Sequence, residues 1–158
     1  MKNLRNLLIP IALCAAAALC VSAQGTEKRK NPNYDADLAK KLGADQRGMR
    51  NYVFVVLKTG PKDAEIKGKD RDDIFNGHFA NINRLAGEGK LVVAGPFDGV
   101  EGWRGMFIFN VETIDDAKAL TGSDPVIKSG IMVAEYHKLY CSAALMDIGR
   151  VHKLINPN

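Results

Sequence analysis

The stretch Tyr52-Val-Phe-Val-Val-Leu57 constrains the fold more than any other part of the chain. Every position is β-branched, aromatic or aliphatic, and Thr59-Gly60-Pro61 stops the run, as expected for a strand followed by a turn. A strand in a sheet covered on one side alternates apolar with polar residues. Here Val53, Val55 and Leu57 share one face while Tyr52, Phe54 and Val56 share the other, so both faces call for burial. Residues 106–109 repeat the pattern, with Phe107 and Phe109 opposite Met106 and Ile108.

The segment ahead of this strand reads as an address rather than as structure. Lys2 and Arg5 precede an apolar run over residues 7–21, and Val21-Ser22-Ala23 supplies small residues for a peptidase, the order of a secretory signal. The run falls short of the roughly 20 residues that a spanning helix needs. The expectation is cleavage after residue 23, a periplasmic or secreted location, and no membrane attachment in the mature chain. Cys14 and Cys20 each follow a leucine, which argues against a lipid anchor. Cys141 is then the one cysteine left, so no intramolecular disulfide can form and the core alone must hold the fold. Lys2 and Arg5 also account for two of the formal charges behind the net +4, and Lys28-Arg29-Lys30 is too short a run to imply nucleic acid.

Four segments follow from composition: the signal (1–23), an extension with one short helix near Asp35 to Gly43 (24–50), a folded domain (51–141) and a weakly helical tail (142–158). Within the domain the period changes over residues 70–89, where Phe75, Phe79, Ile82, Leu85 and Ala86 form one helical arc ended by Gly87 and Gly89. Residues 90–94 read as a second strand closed by Gly95-Pro96, and a turn through Asp98-Gly99 and Gly102 leads into a third over 104–111. Thr113 caps a helix over Ile114, Ala117 and Leu120; Asp124-Pro125 restarts a short helical turn; residues 131–140 form the last strand.

The order β-α-β-β-α-β predicts an α+β domain, a ferredoxin-like sandwich with helices on one face of an antiparallel sheet. Two helices cover one face. The second meets the same face of another copy, giving a homodimer in the manner of a dimeric α+β barrel, unless the N- or C-terminal extension folds over it.

Right-handed crossovers in this topology gather several loops at one sheet edge. Lys58, Thr59, Gly60, His78, Pro96, Asp98, Trp103, Arg104, Asp124 and Pro125 all fall there. His78 lies inside the apolar arc of its helix, which aims the imidazole at the sheet, within reach of Asp98 or Asp124. A carboxylate holds an imidazole in one tautomer and raises its basicity, which a general base needs. His78, Asp124 and Asp98 are therefore the candidate catalytic residues, and Gly95, Pro96, Trp103, Arg104 and Pro125 the candidate substrate contacts. The plainer reading makes His78 a core histidine, Asp98-Gly99 a turn pair and Asp124 a helix cap. The histidines and Cys141 show no metal-ligand spacing and no nucleotide or phosphate-loop string occurs, so neither a metal nor a cofactor is expected.

These residues resemble the YCII-related family. GHFANINRLAGEGKLVVAGPFDG (77–99) is similar to its signature of a helix-borne histidine followed by a glycine-bounded strand ending in Gly-Pro. GWRGMFIFNVETIDDAKAL (102–120) and SDPVIKSGIMVAEYHKLY (123–140) resemble its third strand, second helix, Asp-Pro turn and last strand. The resemblance implies a ferredoxin-like domain that pairs as an α+β barrel, with the family's histidine at His78, its Gly-Pro at Gly95 and Pro96, and its Asp-Pro at Asp124 and Pro125. It also implies a His/Asp active site, Asp124 matching more firmly than Asp98. One member is a dehydrochlorinase of a chlorinated hydroxyquinol, a substrate that does not transfer with the fold. Two functions follow as expectations. One is a small-molecule enzyme using a His/Asp pair for elimination, isomerisation or hydrolysis. The other is a non-catalytic dimeric ligand-binding or interaction module, favoured if His78 bonds only to backbone at a closed edge.

Overall fold

The computed structural model describes residues 31–157; the expected export signal lies outside them. Residues 31–34 make a turn in which the Tyr34 amide donates to the Asn31 carbonyl. Residues 35–157 form a second unit, with helices α1 (Ala36–Lys41), α2 (Gly68–Gly87), α3 (Ile114–Thr121), α4 (Pro125–Lys128) and α5 (Ile148–Ile155). Its strands are β1 (Met49–Thr59), β2 (Leu91–Pro96), β3 (Trp103–Phe109) and β4 (Met132–Ser142), and a 3-10 turn (Ala143–Asp147) precedes α5.

The sheet order is β2-β3-β1-β4 with every neighbouring pair antiparallel. This is the ferredoxin-like α+β arrangement. Strands β1 and β2 point the same way with β3 between them, as right-handed crossovers through α2 require. The apolar run of β1 takes the centre, paired along both edges by β3 and β4, with the helices over one face and the 3-10 turn over part of the other. Each aliphatic side chain buried there contributes about 1.5–3 kcal/mol. Val53, Val55, Leu57, Phe107 and Phe109 pack beneath the helices with Leu85, Ala117 and Val126. The second helix of the motif begins as its residues predict, with Thr113 Oγ1 accepting from the Asp116 amide.

Three details depart from the sequence reading. The buried stripe of α2 centres on His78 and Leu85, while Phe79 and Ala86 are exposed. The last strand runs on to Ser142 and so includes Cys141, which is half-buried opposite Arg50. The second sheet face is partly covered within the chain. Tyr52 is buried with its hydroxyl donating to the Ser142 carbonyl, and the 3-10 turn packs on β1 and β2. Val56 and Ile108 on that face are also buried, and Phe54 and Met106 are half-buried.

The extension finds its partner through Arg50, whose guanidinium donates to the Leu42 carbonyl at 3.2 Å and to Asn110 Oδ1 at 2.6 Å. Asp45 ties the same loop to β4 by accepting from the Tyr140 hydroxyl. No helix among the described residues is long and apolar enough to cross a membrane.

Candidate active site

His78 reaches its position because α2 lies close to α4. A side chain at Gly77 would put its Cβ 2.9 Å from Pro125 Cγ, so the bare glycine permits the approach. Across this contact His78 Nδ1 stands 2.9 and 2.8 Å from the two carboxylate oxygens of Asp124. Asp124 is fully buried and also caps α4, its Oδ1 accepting from the Val126 amide at 3.1 Å. The cap therefore fixes the carboxylate before the histidine uses it. Since a carboxylate only accepts, Nδ1 carries a proton, and in the neutral imidazole the lone pair therefore lies on Nε2.

No buried side-chain nitrogen or oxygen among the described residues is both inaccessible and unpartnered, and Nε2 of His78 makes no hydrogen bond to any described residue. Nε2 is thus the open nitrogen of a histidine that is otherwise 6% exposed. It faces a cavity of about 460 Å³ that His78 lines together with Phe75, Phe79, Phe107, Met132 and Arg104. Phenylalanine rings surround the imidazole, with centroids at 6.1 Å for Phe75, 5.5 Å for Phe79 and 6.0 Å for Phe107. The chemical outcome is one basic nitrogen, oriented from behind and presented to an apolar chamber.

The structure divides the candidates read from the sequence. His78 and Asp124 are in contact, and Gly95, Pro96 and Arg104 line the cavity. Asp98 is not part of the pair: it is exposed in the loop after β2, where Gly99 at φ +74° turns the chain outward. Trp103 is 38% exposed and packs on Phe97 at 5.2 Å, away from the cavity lining. Pro125 contacts the site only from behind, as the ring that abuts Gly77. His137 lies on β4 beside Glu135, at 2.8 Å. No three His, Cys, Asp or Glu side chains converge among the described residues.

Sequence reasoning missed Asn81. Its amide nitrogen donates to Asp124 Oδ2 at 3.4 Å while its oxygen accepts from Arg84 at 2.8 Å and Ser123 at 3.1 Å, and those two donors fix which end of the amide faces the carboxylate. The signal was its spacing, one turn beyond His78 on the same helix.

A family model described as the YCII-related domain matches residues 52–137. Among solved structures the chain is similar to a 5-chloro-2-hydroxyhydroquinone dehydrochlorinase from Burkholderia phenoliruptrix AC1100, determined in complex with 2,5-dihydroxybenzoquinone. The identity is 20% and the TM-score 0.38, over 52% of this chain and 90% of that one. No curated protein matches. The matched segment runs from β1 into β4, takes in both His78 and Asp124, and spans more than half of the chain, which therefore belongs to the YCII-related family.

Proposed function

We propose that the chain is a small-molecule enzyme in which His78 Nε2 acts as general base and then as general acid, held in one tautomer by Asp124. The observation that carries this reading is the pairing of Nδ1 with a fully buried carboxylate while Nε2 opens on an apolar cavity. A base so placed removes a proton from a carbon or oxygen acid and returns it elsewhere, which is the step shared by elimination, isomerisation and hydrolysis. Asp124 stabilises the imidazolium that forms, and Asn81 steadies the carboxylate. A histidine bonded only to backbone at a closed edge would favour the binding-module reading; His78 bonds instead to the Asp124 side chain and lines a cavity, which supports the enzymatic one.

Activated carbon acids incubated with the chain in D2O test it. Exchange of C–H for C–D, followed by proton NMR, should fall by 10²-fold or more in His78→Gln, the usual size of a general-base contribution. Unchanged exchange or turnover in that variant sinks the reading.

The same proposal includes a homodimer through the part of the second sheet face that the C-terminal segment leaves open, around Phe54, Met106 and Val133. Sedimentation at micromolar concentration should give twice the chain mass, and Phe54→Asp should return the monomer. A monomeric unsubstituted chain refutes this part alone.

A further inference from the structure

We propose that the ligand of this cavity is a small organic monoanion with a flat, apolar body, whose carboxylate or acidic enol oxygen is held by Arg104. The inference rests on the reading of His78 as the working base and goes beyond it to the class of molecule the base acts on.

The first support is the backbone. In the β1–β3 ladder Leu57 pairs with Gly105 but Lys58 pairs with Trp103, so Arg104 is the extra residue of a bulge. Strict alternation would place Arg104 on the same face as Met106 and Ile108, away from the helices. A bulge re-aims a side chain, and Arg104 lines the cavity on the helix side with Gly105 and Phe107. Gly105 makes the kink affordable, since a Cβ there would stand 2.9 Å from the Gly95 carbonyl oxygen.

The second support is charge. Arg104 is the one cationic side chain among the lining residues, and no carboxylate lines the cavity beside it. Its nearest acid, Asp63, stands 3.9 Å away, beyond hydrogen-bond reach, and is already bound by Arg71 at 2.7 Å. Two guanidinium groups thus share one carboxylate, and the fork of Arg104 keeps its donors for a ligand. The positive pair also holds the Asp63 carboxyl below its ordinary range, with Arg71 the larger cause.

The third support is the rest of the wall. His78 and Arg104 are the only polar side chains in a lining otherwise dominated by Phe75, Phe79, Phe107 and aliphatic groups, so a ligand with one anionic end and an unsaturated or apolar body satisfies both and fills the remainder. A dianion would leave one charge among phenylalanines, and a neutral molecule would leave Arg104 only its share of Asp63 and solvent.

Benzoate and its neutral isostere benzamide test this, titrated into the purified chain and read by amide chemical shifts. Benzoate is expected to saturate, to shift cavity residues, and to bind at least tenfold tighter than benzamide. Arg104→Gln should erase that preference, and Arg104→Lys should keep part of it. Equal affinities in the unsubstituted chain, a preference that survives Arg104→Gln, or failure of benzoate to saturate would each overturn the proposal. His78→Gln keeps the two readings apart, because it should cut proton exchange by 10²-fold or more while leaving the benzoate preference within about threefold. Loss of the preference with exchange intact refutes the anion anchor and not the base.

Discussion

Replacing Asp124 tests the joint on which the site depends. The side chain is fully buried, caps α4 through the Val126 amide, and accepts from His78 Nδ1 and more weakly from Asn81. Alanine removes the cap, a loss of about 1 kcal/mol. It also strands the His78 N–H in an interior with no described alternative acceptor, which costs about 1–3 kcal/mol. The expected total is about 3 kcal/mol. Asparagine caps a helix as well as aspartate does, fills the same volume and still offers one acceptor, so Asp124→Asn should cost about 1 kcal/mol. The unfolding free energy from urea titration at neutral pH measures both. A double-mutant cycle with His78→Ala sharpens the test, since once the imidazole is gone the carboxylate has less to satisfy. The two losses should then fall short of additivity by about 1 kcal/mol or more. If Asp124→Ala costs under 1 kcal/mol, or the two substitutions add, the buried pair is not formed as described and the catalytic argument loses its foundation.

Three further predictions concern the frame. Gly77→Ala should destabilise the chain by about 1 kcal/mol, because overpacking against Pro125 outweighs the helix propensity gained. Gly87→Ala, in the same helix with open space around its Cβ position, should stabilise it; equal signs in the two melts would refute the close approach of α2 and α4. Asp63 is held below its ordinary pKa of 3.8 by Arg71, so the unfolded chain protonates there first as the pH falls. The stability it supplies is complete above about pH 5 and is lost as the pH drops through 3.8 toward the folded value. Asp63→Asn should therefore flatten the urea midpoint against pH in that window, and an unaltered slope would count against the Asp63–Arg71 pair. Arg50→Gln should speed hydrogen exchange at Leu42 and Ala44, whose loop Arg50 holds, and leave β1 and β4 protected; unchanged exchange would show that the clamp does not hold α1.

The frame was legible because each element carries its own local reason. The Thr113 cap and the Asp124-Pro125 restart are decided by neighbours in the chain and lie where those signals put them, whereas Gly95-Pro96, read as the stop of the second strand, is paired within it, because β3 supplies partners as far as Gly105. What the chain does at long range was harder to read. Apolar period alone could not separate Phe79, which borders the cavity while 56% exposed, from Phe75, which packs on the core. Nor could it decide what lies over the second sheet face. In the tail over 142–158 only residues 145–154 read as weakly helical, yet the turn that opens the tail buries Ala143 and covers Tyr52, a contact set by where β4 happens to end.

The site shows the same division more sharply. His78 and Asp124 could be matched because helix period and cap chemistry place each independently, and the topology brings their elements together. Asp98 competed on proximity alone, and the turn that makes Asp-Gly favourable also carries the carboxylate into solvent. Arg104 marks the limit of pattern reading. Alternation is a rule of two, and one extra residue in β3 reverses it for a single side chain. The sequence offers only a hint of that irregularity in Gly105, whose missing Cβ allows β2 to close over the bulge. A cation that strict pleating would send to the outer face is delivered instead to an apolar chamber beside a basic nitrogen. Restoring the pleat is therefore a functional perturbation: deleting Arg104 should straighten β3 and keep the fold while removing the cavity's discrimination between an anion and its neutral isostere.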